Sequence, residues 1–272
     1  MTRMRVVIKL GGDLVKGQLP PELLSDISRL SADHQLILVH GGGDVVTETA
    51  IKLGKEQRFV VSPDGIRSRY TDRETMDIFT MVMCGLIAKK ILETLARGGI
   101  RAVSLSGLDG GVLRATRKKK LLIVDERGRK MSIDGGYTGK MESADPTVLA
   151  ALLEKGFIPL VSPVAMGEDS EPLNVDSDRA AAYLAMDSKS DAVLFLTDVK
   201  GLSLDGQVVE RLSVEQARSS LPKIGFGMQK KILAGIEAME GGVKEVIVAS
   251  GFGAAPVTAA LAHQGCTVIS SR

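Results

Sequence analysis

The chain of 272 residues carries 35 Lys and Arg against 33 Asp and Glu, and its 44% hydrophobic share is ordinary for a globular protein of one large domain or two lobes. The small net charge of +2 and the scarcity of aromatic residues argue against a protein that binds nucleic acid by stacking bases. No apolar run is long enough to form a signal core or span a bilayer, so we expect a cytoplasmic protein without membrane contact. Cys84 and Cys266 lie far apart, and we expect no metal site.

Strand-like and helix-like segments alternate along almost the whole chain. Apolar runs bounded by turn residues predict strands at 5–10, 35–39, 102–105, 158–161, 192–196, 245–249 and 267–269, and a hairpin from 120–124 and 130–133. Helical spacing predicts helices at 21–31, 44–53, 74–97, 146–155, 176–185, 213–220, 227–240 and 256–263. This alternation predicts an α/β fold, a three-layer αβα sandwich with a mainly parallel central sheet.

One polar stretch interrupts the alternation. Residues 167–172 read Gly-Glu-Asp-Ser-Glu-Pro, which is the composition of a connecting segment. We therefore predict two lobes, an N-terminal lobe of residues 1–167 and a C-terminal lobe of residues 168–272.

Two of the predicted strands end in glycines. The first contains Lys9 and runs into Gly11 and Gly12, and the second is followed by His40 and the glycine triplet 41–43. Glycines allow the backbone to approach a ligand closely, and the N–H groups at the start of a helix favour an anion. A lysine in a buried strand is costly unless it faces an anion or a partner. These turns predict a phosphate site. The alternatives are a lysine that reaches solvent at the strand edge, and a His40 that is a structural hydrogen bonder rather than a base.

Small polar residues open the alanine-rich helix 176–185. An N-cap accounts for Asp176 or Ser177. Asn174 and Asp178 exceed what a cap requires, so Asn174 is a candidate substrate contact and Asp178 a candidate partner for lysines. Near the start of the helix 227–240 lie Lys230 and Lys231, either as phosphate ligands or as ordinary solvated lysines.

Two further segments are basic. Arg67 and Arg69 precede the long helix 74–97, and arginine binds carboxylates with two parallel hydrogen bonds. The alternative for this segment is an ordinary solvated loop. Residues 117–120 read Arg-Lys-Lys-Lys beside the predicted hairpin. Such runs are usually solvated, and the alternative is a docking patch for an acidic partner.

The ordered set of motifs resembles the amino acid kinase family, in its N-acetylglutamate kinase branch, over nearly the whole chain. The matching segments are Lys9-Leu10-Gly11-Gly12, His40 to Gly43, Leu105 to Gly110, Asn174-x-Asp176-x-Asp178, Leu196 to Gly201 and Gly227-Met228-x-x-Lys231. Within that branch, residues 62–71, 117–119 and 135–140 resemble the kinases that act on LysW, a small acidic amino-group carrier protein.

The resemblance implies roles for individual residues. Lys9 and Lys231 would stabilise the transition state and Asp178 would orient them, although Lys230 leaves the lysine register ambiguous. The implied acceptor contacts are Gly42, Gly43, Arg69 and Asn174, and the implied nucleotide contacts are Gly11, Gly12, Thr197, Asp198 and Lys231. The N-terminal lobe would bind the acceptor and form a homodimer through the helix 74–97, and the C-terminal lobe would bind ATP, with Mg²⁺ held mainly by its phosphates.

The implied reaction is phosphorylation of the side-chain carboxylate of carrier-linked aminoadipate or glutamate, in lysine or arginine biosynthesis. One alternative is a kinase for free N-acetylglutamate, which needs no docking patch. The other is a regulatory amino-acid-binding module, and intact Lys9, Asp178 and Lys231 argue against it.

Overall fold

The computed structural model describes residues 3–271, and its centre is a sheet of eight strands. The strands are β1 Arg5–Leu10, β2 Gln35–His40, β3 Phe59–Val61, β4 Arg67–Arg69, β5 Ala102–Ser106, β6 Leu113–Arg117, β7 Lys120–Val124, β8 Lys130–Asp134, β9 Gly139–Ala144, β10 Ile158–Ser162, β11 Val164–Met166, β12 Pro172–Asn174, β13 Ala192–Thr197, β14 Ser203–Leu204, β15 Gln207–Val208, β16 Arg211–Leu212, β17 Glu245–Ser250 and β18 Cys266–Ser270.

The helices connect successive strands of the central sheet. They are α1 Gly12–Val15, α2 Pro21–Asp33, α3 Gly43–Lys52, α4 Arg73–Thr80, α5 Ala88–Arg97, α6 Thr147–Glu154, α7 Ser177–Asp187, α8 Val214–Ser220, α9 Phe226–Glu240 and α10 Pro256–Leu261. A π-helical segment, Met81–Ile87, joins α4 to α5. The predicted single helix 74–97 is therefore helical throughout but is wound more loosely at its centre. No helix within the described part of the chain is long and apolar enough to cross a membrane.

The central sheet has the strand order β16-β18-β17-β13-β1-β2-β10-β5. All neighbouring pairs are parallel except β17 and β18, which run antiparallel. The prediction of an α/β fold with a mainly parallel sheet is thus confirmed. The carboxyl ends of β13, β1 and β2, three adjacent strands, lie at one edge of the sheet.

Both faces of the sheet are covered, because each central strand is apolar on both sides. In β1, Val6 and Ile8 pack into one core cluster with α2, α3 and α10, whereas Val7 packs into a second cluster with α6, α7 and α9. Side chains alternate across a strand, so this division assigns the clusters to opposite faces. The result is the three-layer αβα sandwich expected from the alternation.

Short strands are where the sequence-based prediction was incomplete. Two additional four-stranded sheets, with the orders β12-β11-β6-β9 and β4-β3-β7-β8, flank the central sheet, and only the hairpin β7–β8 had been expected. The segment 167–172, the predicted boundary between lobes, includes the turn between the antiparallel strands β11 and β12. The central sheet continues across the predicted lobes, because β1 pairs with both β2 and β13. The division into lobes stays a prediction.

Candidate active site

Two glycine turns meet at the carboxyl ends of β1 and β2. The Gly11 N–H donates to the Leu196 carbonyl at 2.9 Å, and the Gly41 N–H donates to the Leu10 carbonyl at 2.9 Å. A Cβ on Gly11 would stand 2.8 Å from the Leu196 oxygen, which is closer than real Cβ atoms approach backbone oxygens. The first turn therefore requires glycine because it lies directly against β13.

The second turn requires glycine for a conformational reason as well. Gly42 has a φ of +132°, which residues with a Cβ rarely adopt, and an added Cβ would collide with Cδ1 of Ile87. The Gly42 N–H has no hydrogen-bond acceptor within residues 3–271. Gly43 begins α3, and the first N–H groups of a helix have no acceptor inside it. This turn consequently presents free donors at a helix N-terminus, which favours an anion.

Lys9 of β1 and Lys231 of α9 converge on Asp178 of α7, between the sheet and the helices that cover it. The Lys9 ammonium lies 2.8 Å from Oδ1 of Asp178 and the Lys231 ammonium 3.5 Å from Oδ2. Burial raises the pKa of the Asp178 carboxyl, but the charges and hydrogen bonds of the two lysines outweigh burial, so this pKa lies below its usual range. Asp178 is therefore ionised at neutral pH and holds two cations in place.

The structure separates the two neighbouring lysines of α9. Lys230 lies 3.7 Å from Asp176, whereas Lys231 reaches Asp178. Asp176 is the N-cap of α7, because its side chain accepts hydrogen bonds from the N–H groups of Asp178 and Arg179. In this geometry Lys231, and not Lys230, shares a carboxylate with Lys9.

Arg69 is a buried cation at the edge of the second turn. One terminal nitrogen donates to the Gly43 carbonyl at 2.7 Å and to the Thr47 hydroxyl at 2.8 Å, and the other donates to Gln57. Burial lowers the pKa of the Arg69 guanidinium to about 10, so it stays charged near pH 7. No carboxylate of the described residues lies within ion-pair distance of Arg69. A fixed, buried arginine without an acidic partner suits an anionic ligand.

Asn174 belongs to the same side of the site. Its side-chain amide donates to the Thr71 hydroxyl at 2.9 Å, and Thr71 follows β4 by two residues. The strand β12 thereby places Asn174 near the end of the strand that carries Arg69. Sequence reasoning had singled out both residues but had not found Gln57, Thr47 or Thr71, whose polar groups anchor them.

Thr197 and Asp198 lie beside the first glycine turn. Thr197 ends β13, its Cα is 3.4 Å from the position of a Cβ on Gly11, and its hydroxyl donates to the Asp198 carboxylate at 2.9 Å. Val199 and Phe252, which follow the parallel strands β13 and β17, are 44% and 50% exposed. The carboxyl ends of β13 and β17 therefore offer exposed apolar surface next to the polar groups of Thr197 and Asp198.

His40 has no exposed surface and lies between two hydrogen-bond partners. Its Nδ1 is 2.9 Å from the Gly41 carbonyl and its Nε2 is 2.8 Å from the Ser162 hydroxyl. Burial lowers the pKa of His40 to about 4, with a further lowering by the nearby Lys9 charge. The structure thus matches the structural hydrogen bonder rather than a solvent-connected base.

The four basic residues 117–120 differ in their contacts with the rest of the protein. Arg117 donates to the Gly136 carbonyl at 2.6 Å and its guanidinium lies 4.4 Å from the centre of the Tyr137 ring. Lys118 is partly buried, and burial together with Arg179 and Lys140 lowers the pKa of its ammonium. Lys119 and Lys120 are exposed. Arg117 is exposed as well but is held by Gly136 and Tyr137, so Lys119 and Lys120 are the exposed charges of this run without such contacts.

The fold and this arrangement of lysines and glycines agree with one known family. The model of the amino acid kinase family matches residues 4–250. The chain belongs to the amino acid kinase family. The resemblance read from the sequence motifs is thereby confirmed.

Named relatives lie within the branch that the motifs indicated. A protein of Cenarchaeum symbiosum (strain A) that is named as a putative LysW-aminoadipate/LysW-glutamate kinase is 53% identical over 264 residues, which cover 97% of this chain and 98% of the relative. The LysW-aminoadipate/LysW-glutamate kinase of Metallosphaera sedula is 44% identical over 264 residues, which cover 97% of this chain and 99% of the relative.

A solved structure shows the same fold at low sequence identity. Carbamate kinase from Giardia lamblia bound to AMP-PNP superimposes with a TM-score of 0.68 at 16% identity, over 99% of this chain and 99% of that chain. The similarity confirms the predicted amino acid kinase and carbamate kinase-like fold of this family member.

Proposed function

We propose that this amino acid kinase transfers the γ-phosphoryl group of ATP to the side-chain carboxylate of aminoadipate or glutamate carried by LysW, in lysine or arginine biosynthesis. The observation that carries the proposal is the buried Lys9–Asp178–Lys231 cluster beside two glycine turns. The specific acceptor is supported by the names of two relatives that share 53% and 44% identity over almost the whole chain.

The cluster suits a reaction between two anions. A carboxylate acceptor is already ionised near pH 7 and needs no general base. The difficulty is the repulsion between this carboxylate and the phosphoryl group, and fixed positive charge in a poorly solvated site offsets it. Two lysines against one aspartate leave one net positive charge, which the free N–H of Gly42 supplements.

The residues present fit a nucleotide. Gly11, Gly12 and Thr197 would surround the phosphates, and the exposed Val199 and Phe252 would offer apolar surface for a base. No cluster of three metal-binding side chains occurs among residues 3–271. Mg²⁺ would therefore be held by phosphate oxygens and water, as is usual for this ion.

The acceptor would occupy the other side of the site. Arg69 would hold its α-carboxylate, and Asn174 would supply a second polar contact. Gly42 and Gly43 would lie between the acceptor carboxylate and the transferring group. In the proposed division, residues 1–167 would bind the acceptor and residues 168–272 would bind ATP, with Asn174 and the Gly11–Gly12 turn each reaching across it.

The carrier would dock through exposed charges near the acceptor side. Lys119 and Lys120 are free to meet an acidic protein, whereas Arg117 supports Gly136 and Tyr137. We also propose a homodimer through α4, the π-helical segment and α5, where Met81 and Leu86 are 57% and 40% exposed. Sedimentation of the purified protein tests this assembly.

Hydroxamate trapping of the acyl phosphate tests the acceptor. Each candidate is supplied with MgATP, namely LysW-linked aminoadipate, LysW-linked glutamate and free N-acetylglutamate. We expect hydroxamate from at least one carrier-linked acceptor. Product from free N-acetylglutamate alone would refute the carrier proposal, and the absence of product from all three would refute the kinase proposal.

A matched charge change tests the docking surface. The double substitution Lys119→Gln/Lys120→Gln should raise KM for the carrier-linked acceptor about tenfold and weaken its salt dependence, because rim charges act mainly on association. The control is Lys155→Gln/Lys189→Gln, which removes two exposed lysines near the amino ends of β10 and β13. Equal KM values for both double variants would contradict docking at Lys119 and Lys120.

A further inference from the structure

One buried hydrogen-bonded pair is not used by the proposed chemistry. His40 and Ser162 end the strands β2 and β10, which are neighbours in the central sheet. Both are fully buried, and the 2.8 Å contact joins Nε2 of His40 to the Ser162 hydroxyl. Their position directly behind the second glycine turn connects that turn to the sheet.

The hydrogen-bond partners define the proton position on the ring. A carbonyl oxygen only accepts, so the 2.9 Å contact with the Gly41 carbonyl requires a proton on Nδ1 of His40. In the neutral ring Nε2 is then an acceptor, and the Ser162 hydroxyl donates to it at 2.8 Å rather than to its other acceptor, the Met83 carbonyl at 3.4 Å. The reverse arrangement would place a lone pair of Nδ1 against the Gly41 oxygen. The Gly41 carbonyl thus fixes the tautomer, and the Ser162 hydroxyl holds the ring in the orientation that binds Gly41.

The Gly41 carbonyl in turn fixes the direction of a donor in the site. The peptide bond is planar, and all peptide bonds between described residues are trans, so the Gly42 N–H points opposite to the Gly41 C=O. The Gly42 nitrogen lies 4.0 Å from the position of a Cβ on Gly12, between the two glycine turns. A hydrogen bond on the buried side of this peptide therefore aims the N–H on its other side.

Neighbouring hydrogen bonds hold the ends of this peptide, from the Gly41 N–H to Leu10 and from Val46 to the Gly42 carbonyl, but not its own C=O and N–H. Glycines flank it, and Gly42 has no side chain that could limit rotation to one conformation. Ile87 packs against Gly42 from the π-helical segment, but an apolar contact does not distinguish the two orientations of the peptide plane. Among the described residues, the His40 ring provides the only side-chain hydrogen bond to this peptide.

We propose that His40 and Ser162 are positioning residues that aim the Gly42 N–H at the transferring phosphoryl group. The proposal rests on the proposed phosphotransfer, since that reaction gives the donor its target. His40 acts through Gly41 and Gly42 and does not itself touch the reactants.

Two substitutions of His40 separate positioning from packing. Asn places an amide N–H near the position of Nδ1, whereas Gln places its amide near Nε2, where it reaches Ser162 and not Gly41. Loss of a transition-state donor costs about 10²–10³ in kcat, so a misdirected donor in His40→Gln should lower kcat by about tenfold or more. His40→Asn should keep kcat within about threefold of wild type, and KM for ATP should change little in either variant.

Ser162→Ala provides a second test that leaves the ring in place. Without the hydroxyl Nε2 loses its hydrogen-bond partner, so the ¹⁵N resonance of Nε2 should shift while Nδ1 stays protonated towards the Gly41 carbonyl. The fall in kcat should be smaller than in His40→Gln. The thermal unfolding temperature of each variant shows whether a fall in kcat merely accompanies a loss of stability from poorer packing.

The outcomes separate this proposal from the proposed function. Equal kcat values for the Asn and Gln variants, or a wild-type ring protonated on Nε2, would overturn the positioning role. If wild type forms no acyl phosphate, the proposed function fails. In that case the NMR chemical shift of the Gly42 amide proton still tests the positioning role. This chemical shift should change when MgADP and fluoroaluminate are added to wild type, and should change less in His40→Gln. Equal shifts in both proteins would contradict positioning.

Discussion

The two lysines that meet at Asp178 are held in different ways. Lys9 extends from the central strand β1, and its side chain is 5% exposed and 2.8 Å from the carboxylate. Lys231 extends from α9, outside the sheet, and its side chain is 13% exposed and 3.5 Å from the other oxygen. One cation belongs to the rigid core and the other approaches from a more accessible helix.

Because the two lysines are held differently, we expect them to contribute unequally to the stability of the fold but similarly to catalysis. A buried ion pair is strongly destabilising when one partner is removed, because an uncompensated charge stays behind. Lys9 and Asp178 satisfy that condition, whereas the looser Lys231 contact adds less to the stability of the fold. Both lysines should nevertheless matter for catalysis, since a transferring phosphoryl group responds to every nearby fixed charge.

The largest effect should follow from removing the shared carboxylate. Asp178→Asn leaves two cations without their partner, and we expect a loss of about 3–5 kcal/mol in the free energy of unfolding. Asp176→Asn is the matched control, because Asn caps helices about as well as Asp and the expected loss is below about 0.5 kcal/mol. Urea titration of both variants measures the difference. Similar losses would show that the buried cluster contributes no more than the cap.

A smaller effect should separate the two lysines. Lys9→Met leaves Asp178 buried with only the 3.5 Å contact to Lys231, and we expect a loss of about 1–3 kcal/mol in unfolding free energy. Lys231→Met keeps the 2.8 Å pair, so its loss should be below about 1 kcal/mol. The midpoint of urea unfolding should therefore be lower for Lys9→Met than for Lys231→Met. The reverse order would contradict the assignment of Lys9 to the core.

The smallest effect should appear in acid. The pKa of the Asp178 carboxyl is lowered in the folded protein, so its contribution to stability is complete above the usual carboxyl pKa of about 4 and is lost as pH falls through the lower folded value. Asp26 and Asp191 also have lowered pKa values and add to the same acid dependence. Stability measured between pH 5 and the acid limit should therefore fall less steeply in Asp178→Asn. An unchanged slope would contradict the stabilising role of the ionised carboxylate.

Sequence reasoning succeeded where the determining interactions are local. Apolar runs such as β1 and β13 predict buried strands because alternate residues face two covered sides of the sheet. The glycine turns were also visible, since a lysine or histidine beside consecutive glycines is a short pattern. The prediction of Lys9, Asp178 and Lys231 depended on family resemblance in addition to these patterns.

The remaining contacts depend on distant parts of the chain. Ser162 lies 122 residues from His40, and no local pattern joins them. Gln57 and Thr47 anchor Arg69 only after β3 and β4 fold against α3. The π-helical segment 81–87 continues the apolar spacing of the flanking helices, so its looser winding was not predictable from spacing. These features follow from packing rather than from sequence pattern.

The central claim is that Lys9 and Lys231 together promote phosphoryl transfer, and single-turnover formation of acyl phosphate tests it most directly. Folded Lys9→Met and Lys231→Met proteins are mixed with MgATP and the acceptor that wild type uses, and the product is trapped as hydroxamate. Each variant should react at least about 100-fold more slowly than wild type. Lys230→Met, which removes the neighbouring cation paired with Asp176, should react within about threefold of wild type. A wild-type rate in either Lys9→Met or Lys231→Met would contradict the claim.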